Sequence, residues 1–205
     1  MTALAGCSYS PPERLQTGDL IFVAQAEGRN AGESTMDGAI AAATGSIIHV
    51  ALVEVDDDGA VWVIDATSRH GVDRRPLQSF FDDFSYEDGT YPVFTVKRLK
   101  DTGPAGQWVE RAKSFCGQAY DEYFLPDNGA MYCSELVRES LLDENGSYLV
   151  EESPMNFKNA DGEFPAYWVE LFSRIGADIP QGVPGTNPQE MSASELLVTV
   201  DCPLP

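Results

Sequence analysis

The sequence is poor in the residues from which metal sites and disulfide scaffolds are built. It holds two histidines and four cysteines in 205 residues, with no CxxC pair. A Cys-rich zinc site is therefore not expected, and the spacings do not suggest a small disulfide-stapled domain. Basic residues are also scarce. Thirteen Lys and Arg stand against 33 Asp and Glu, a formal net charge of −20. Such a surface repels polyanions, which argues against direct nucleic-acid backbone binding and suits a substrate bearing a free amine. No apolar run approaches the roughly 20 residues needed to span a bilayer. What is present is ordinary globular composition, 43 % hydrophobic and 22 % charged. A chain of this length buries a sizeable core as one domain.

The amino terminus carries Leu4-Ala5-Gly6-Cys7, which has the form of a bacterial lipobox, followed by a polar stretch with Pro11-Pro12. The expectation is a tether over residues 1–14, with Cys7 as a lipidation site, leading into a single domain over 15–205. Export to the cell envelope follows if a basic and then apolar segment lies upstream; otherwise the protein stays in the cytosol.

Along the chain, Gly18 to Val23 reads as a buried strand after a Gly-Asp turn. Met36 to Ala43 reads as a helix ending near Gly45. Ile47 to Val55 and Ala60 to Ala66 form strands paired through the turn Asp56-Asp57-Asp58-Gly59. Gly71 to Arg75 adds a short strand, and Pro76 opens a brief helix through Phe81. Tyr91 to Arg98 is a further strand. Trp108, Val109, Ala112, Phe115 and Cys116 recur at helical spacing and define one apolar face, with Cys116 on it. Tyr120 to Ala130 is a loop, Cys133 to Leu142 a helix, and Trp168 to Ile175 another. Ile179 to Pro188, with three prolines and two glycines, is irregular. Hairpin strands in the middle of a mixed chain favour an α+β fold over a doubly wound parallel sheet.

Three residues stand where chemistry is plausible. Cys133, in Met131-Tyr132-Cys133-Ser134-Glu135-Leu136-Val137, lies where a loop becomes a helix. Unpaired N–H groups and the positive end of the macrodipole favour a thiolate there and supply oxyanion donors. His49 interrupts an apolar strand and is the candidate base. Asp65, in Trp62-Val63-Ile64-Asp65-Ala66, stands at comparable depth on the paired strand, where it could orient the imidazole. His70, between Arg69 and Gly71 in a polar stretch, is expected at the surface and outside the site.

These segments, with Gly18-Asp19-Leu20-Ile21-Phe22 and Tyr120-Asp121, resemble the permuted papain-like hydrolases, the YiiX/YaeF-like branch of the NlpC superfamily of cell-wall cysteine peptidases. Permutation places histidine before cysteine, the order found here. The resemblance spans roughly residues 15 to 175. It implies an α+β papain-like fold with the cysteine helix packed on an antiparallel sheet, Cys133 as nucleophile and His49 as general base. The third member, often glutamate in the family, is Asp65 here. Tyr120 and Tyr132 are the candidates for substrate or oxyanion contacts. The expected reaction is hydrolysis of a peptide or isopeptide amide, with peptidoglycan stem peptides as the leading substrate and neither metal nor organic cofactor. The alternatives on this fold are lipid or thioester acyl chemistry, favoured by a hydrophobic groove beside Cys133, and a non-catalytic binding module.

Overall fold

A computed structural model describes residues 13–26, 28, 32–101 and 103–205. In chain order its elements are β1 (Leu20–Ala24), α1 (Met36–Thr44), β2 (Ile47–Val55), β3 (Val61–Thr67), β4 (Gly71–Pro76), α2 (Leu77–Phe84), β5 (Val93–Leu99), α3 (Ala105–Ser114), β6 (Ala119–Tyr120), β7 (Ala130–Met131), α4 (Cys133–Ser140), β8 (Ser153–Pro154), α5 (Ala166–Ile175), β9 (Pro184–Gly185), α6 (Pro188–Ser192) and β10 (Leu197–Thr199). Six of the strands form one antiparallel sheet in the order β10-β5-β1-β2-β3-β4. The fold is α+β, as expected. Cys7 lies outside the described residues, and among those described no helix is long and apolar enough to cross a membrane.

Alternation along β2 and β3 divides the core between the two faces of the sheet. Val50, Leu52, Ile64 and Ala66 meet Trp108, Val109 and Ala112 of α3 and Leu136 and Val137 of α4. Ala51, Val53 and Val63 meet Phe80 and Phe81 of α2 on the other side. A third cluster, built on Phe124, Tyr132, Phe157, Trp168 and Phe172, seats α5 and its flanking loops beside the start of α4. Aliphatic side chains on the central strands thus fix α4 against the sheet, and α4 carries the cysteine.

Several element boundaries differ from those read in the sequence. Helix α2 runs to Phe84, and Pro76 stands outside it as the N-cap, at φ −57° and ψ 143°. Helix α3 stops at Ser114, so Phe115 is its C-cap and Cys116 falls in the following turn. Cys116 is therefore exposed and not part of the apolar face. The Ala112 carbonyl accepts from the Phe115 N–H and that of Lys113 from the Cys116 N–H, which tightens the end before Gly117 turns at φ 92°. The Pro-rich stretch contains β9 and opens α6 at Pro188, where Asn187 caps with its side chain. Strand β10 then closes one edge of the sheet against β5.

Candidate active site

His49 reaches the site through a fault in strand pairing. In β1–β2, Val23 pairs with His49 but Ala24 pairs with Ile47, leaving Ile48 as the extra residue. Alternation breaks there: Ile47 packs on the α3–α4 side, and Ile48 on the α2 side. Bulges re-aim side chains in this way beside functional sites. The imidazole is 7 % exposed and stacks at tilted angles on Phe84 and Phe80, with centroids 4.9 and 6.1 Å away. Its Nε2 lies 2.8 Å from Asp65 Oδ2. The β2–β3 register ends at Leu52 opposite Ile64. Asp65 is thus one step further along and offset from His49, so the contact is diagonal.

Cys133 is the first residue of α4 and is buried. It lines the same cavity as His49 and bears on the charge of that imidazole. Because Nε2 faces Asp65, Nδ1 is the nitrogen left for sulfur. Burial disfavours the imidazolium, but Cys133 and Asp65 outweigh it and push the His49 pKa up to about 10. Asp65 is also penalised by burial, yet His49 and Arg75 hold its carboxyl below the usual range. The first N–H groups of a helix have no partner within it, so the start of α4 can supply donors to an oxyanion formed at Cys133.

The site opens into a cavity of about 330 Å³ lined by Asp37, His49, Arg69, Asp83, Tyr120 and Cys133, among others. On the other flank of Cys133 lies a smaller apolar cavity of about 50 Å³, walled by Ile40, Phe124, Tyr132, Phe157 and Trp168. Tyr120 borders both cavities, and burial, then Cys133, hold its phenol protonated well above the ordinary range. The Tyr132 hydroxyl is already engaged: the Thr186 N–H donates to it at 3.1 Å, and Met155 Sδ lies 3.7 Å away. His70 lies at the surface, 3.1 Å from Asp83, and does not line the cavity.

Two residues had no role in the sequence reading. Arg75 is 6 % exposed and donates to both oxygens of Asp65 at 2.9 to 3.2 Å. An arginine followed by proline on a short strand gave no sign of burial; only the register that sets it beside Asp65 reveals it. Asp121 accepts from the N–H groups of Tyr123 and Leu125 and from Asn128, each at 2.8 Å. It thereby folds the loop that follows Tyr120.

With this geometry in place, comparison gives the family. The model for the permuted papain-like amidase enzymes, YaeF/YiiX, C92 family, matches residues 14–201. The chain belongs to that family. It is accordingly a cysteine hydrolase of the amidase type. The crystal structure of metalloprotein yiiX from Escherichia coli O157:H7 shares the fold, with TM-score 0.69 and 24 % identity over 93 % of this chain and 98 % of that one. None of the curated proteins matches the chain. Among the described residues no group of three or more His, Cys, Asp or Glu is placed to hold a metal ion. At the site itself, His49 and Arg75 take the oxygens of Asp65, and a guanidinium there repels a cation. The residues present do not fit a metal.

Proposed function

We propose that this amidase cleaves a peptide or isopeptide bond through Cys133, His49 and Asp65, with peptidoglycan stem peptides as its substrate class. The observation that carries the reading is the buried contact of His49 Nε2 with Asp65, which leaves Nδ1 to the thiol of Cys133 at a helix start. His49 takes the thiol proton, and the thiolate attacks the amide carbon. The oxyanion lies against N–H groups at the start of α4, with the Tyr120 hydroxyl beside it. The carbon–nitrogen bond breaks as imidazolium protonates the leaving amine. Water, deprotonated by His49, then hydrolyses the thioester and restores the thiol.

His49 lines the larger cavity and not the apolar one. The departing amine therefore belongs on the polar side, where Asp37 offers a carboxylate. The acyl portion belongs on the apolar side. That apolar space, about 50 Å³, is small beside the cavity of about 330 Å³. It suits a small side chain and not a long acyl tail, which favours amide cleavage over lipid chemistry. Export with a lipid on Cys7 would bring such a domain to its substrate.

Incubation with defined muropeptides and with acyl-lipids, followed by mass spectrometry, tests the proposal. Cleaved stem peptides and a transient acyl adduct on Cys133 are expected from the wild type, and neither from Cys133→Ala. Release of fatty acid with stem peptides untouched would replace the substrate assignment by the lipid one.

A further inference from the structure

We infer that Arg75 is a positioning residue for the reaction, fixing the ionisation and orientation of Asp65 and through it the tautomer of His49. This rests on the Cys133–His49–Asp65 reading above. Asp65 is 1 % exposed, and an isolated buried carboxylate is driven to take up a proton. Arg75 removes that drive. Its Nη2 lies 2.9 Å from Oδ2 and 3.0 Å from Oδ1, and its Nε lies 3.2 Å from Oδ1. Oδ2 then stays an acceptor toward His49. An acceptor there demands a proton on Nε2, which leaves Nδ1 as the lone pair that takes the Cys133 proton. A protonated Asp65 would instead donate to Nε2, put the imidazole proton on Nδ1, and block that transfer.

Charge arithmetic gives the same result. Thiolate, imidazolium, carboxylate and guanidinium sum to zero, and the resting set of thiol, imidazole, carboxylate and guanidinium sums to zero as well. Without Arg75 both states bury one uncompensated negative charge. The far end of Arg75 is anchored by the Asp83 carboxylate on α2, which also accepts from Arg69 at 2.7 Å and meets His70 at 3.1 Å. The fork is thus held from both ends. The shorter acid is served by this fork: what Asp65 lacks in reach, Arg75 supplies in orientation. The other charged groups around the pair are Asp37 of α1, which bears on His49, Cys133 of α4, and Asp73, which pairs with Asp65 across β3–β4.

The test uses iodoacetamide as probe and peptide-resolved mass spectrometry to follow Cys133 separately from Cys116 and Cys202, over pH 4 to 9. In the wild type, Cys133 is expected to be labelled faster than Cys116 and Cys202, because His49 takes its proton. Arg75→Met is expected to lower the Cys133 rate at pH 6 roughly tenfold or more relative to the wild type. Arg75→Lys keeps the charge without the fork and restores part of the rate, and it serves where Arg75→Met fails to fold. Cys116 should be unchanged in every variant. Profiles of both Arg75 variants that overlay the wild type, while His49→Ala slows the labelling of Cys133, overturn the role of Arg75 alone. Overlay of His49→Ala as well overturns the Cys133–His49 pairing with it.

Discussion

At the residue scale, the cysteine helix carries its own pH sensitivity. Glu135 occupies the third position of α4, and its carboxylate accepts from the Tyr132 N–H at 3.3 Å. Such a pairing satisfies an orphan donor and fixes the helix start. Burial opposes the charge, and Asp121, Glu139 and Glu152 add to it, so its pKa rises from 4.5 to about 8. The folded state therefore binds the extra proton between those values, and stability contributed there is lost as pH rises from about 4.5 to about 8. Glu135→Gln keeps an acceptor for the Tyr132 N–H without the charge. Its melting temperature should exceed that of the wild type at pH 8 and equal it near pH 4; a lower value at pH 8 would show that the charged cap stabilises. His49 acts in the same direction in a higher window. Its raised pKa contributes stability that is full below about 6.5 and lost as pH rises through about 10, so His49→Ala should flatten the alkaline decline in stability measured by denaturant titration. In turnover of a cleaved muropeptide, Asp65→Asn should lower kcat roughly a hundredfold or more with KM little changed, because it sets the wrong tautomer. His49 and Asp65 stand out in the sequence as polar residues within apolar strands, and Cys133 as a thiol where a loop becomes a helix. Arg75 does not, because its burial depends on the β3–β4 register that sets it diagonally beside Asp65.

At the element scale, the segment bearing Tyr120 is placed by a close backbone approach. Gly71 opens β4 at φ 68°, and a Cβ there would lie 2.3 Å from the Gln118 carbonyl oxygen. The Val72 N–H donates to that same carbonyl, and the Gly117 N–H donates to the carbonyl of Val72. These bonds tie the edge of the sheet to β6, whose second residue is Tyr120. Gly71→Ala should cost about 2 kcal/mol or more, since left-handed strain adds to displacement of a backbone atom. Displaced β6 should also move Tyr120, so KM for a cleaved substrate is expected to rise. An unchanged melting curve and KM would show that the loop slides at no cost. The strands and helices with strong apolar periodicity were legible in the sequence. The end of α3 was not: apolar spacing continued through Phe115 and Cys116 while the backbone had already tightened into a turn. Helix α6 was missed because it opens at the end of a Pro-rich stretch and is held by packing of Met191 into the main core, and β10 because three residues carry little pattern and are held by pairing with β5.

At the scale of the whole molecule, the charge of −20 is a load on the fold as well as a field at the cleft. Many of the cations in the described residues are already committed: Arg69 and Arg75 to Asp83, Arg74 and Lys113 to Glu54, Arg98 to Asp19 and Glu13, Arg138 to Glu139, and Arg174 to Glu122. With 33 acids for 13 bases, the surplus is carboxylate repelling carboxylate across the surface. The two populations respond oppositely to salt. Surface pairs are each worth roughly 0–1 kcal/mol and are screened, whereas the repulsion is long-ranged and fades once the Debye length falls from about 30 Å at 0.01 M to below 10 Å above 0.1 M. Repulsion outweighs the pairs because unpaired acids outnumber paired ones. Raising NaCl from 10 to 300 mM should therefore raise the melting temperature by several degrees, at roughly 2–4 °C per kcal/mol for a chain of this size. The same field draws an amine-bearing substrate toward a cleft with Asp37 in its wall, so KM for such a substrate should increase over that salt range while kcat holds. Asp37→Asn should blunt the salt dependence of KM. A melting temperature that falls with salt would mean that the ion pairs around Asp83, Glu54 and Asp19 outweigh the net charge, and steady-state kinetics in which KM ignores salt would remove the amine from the substrate.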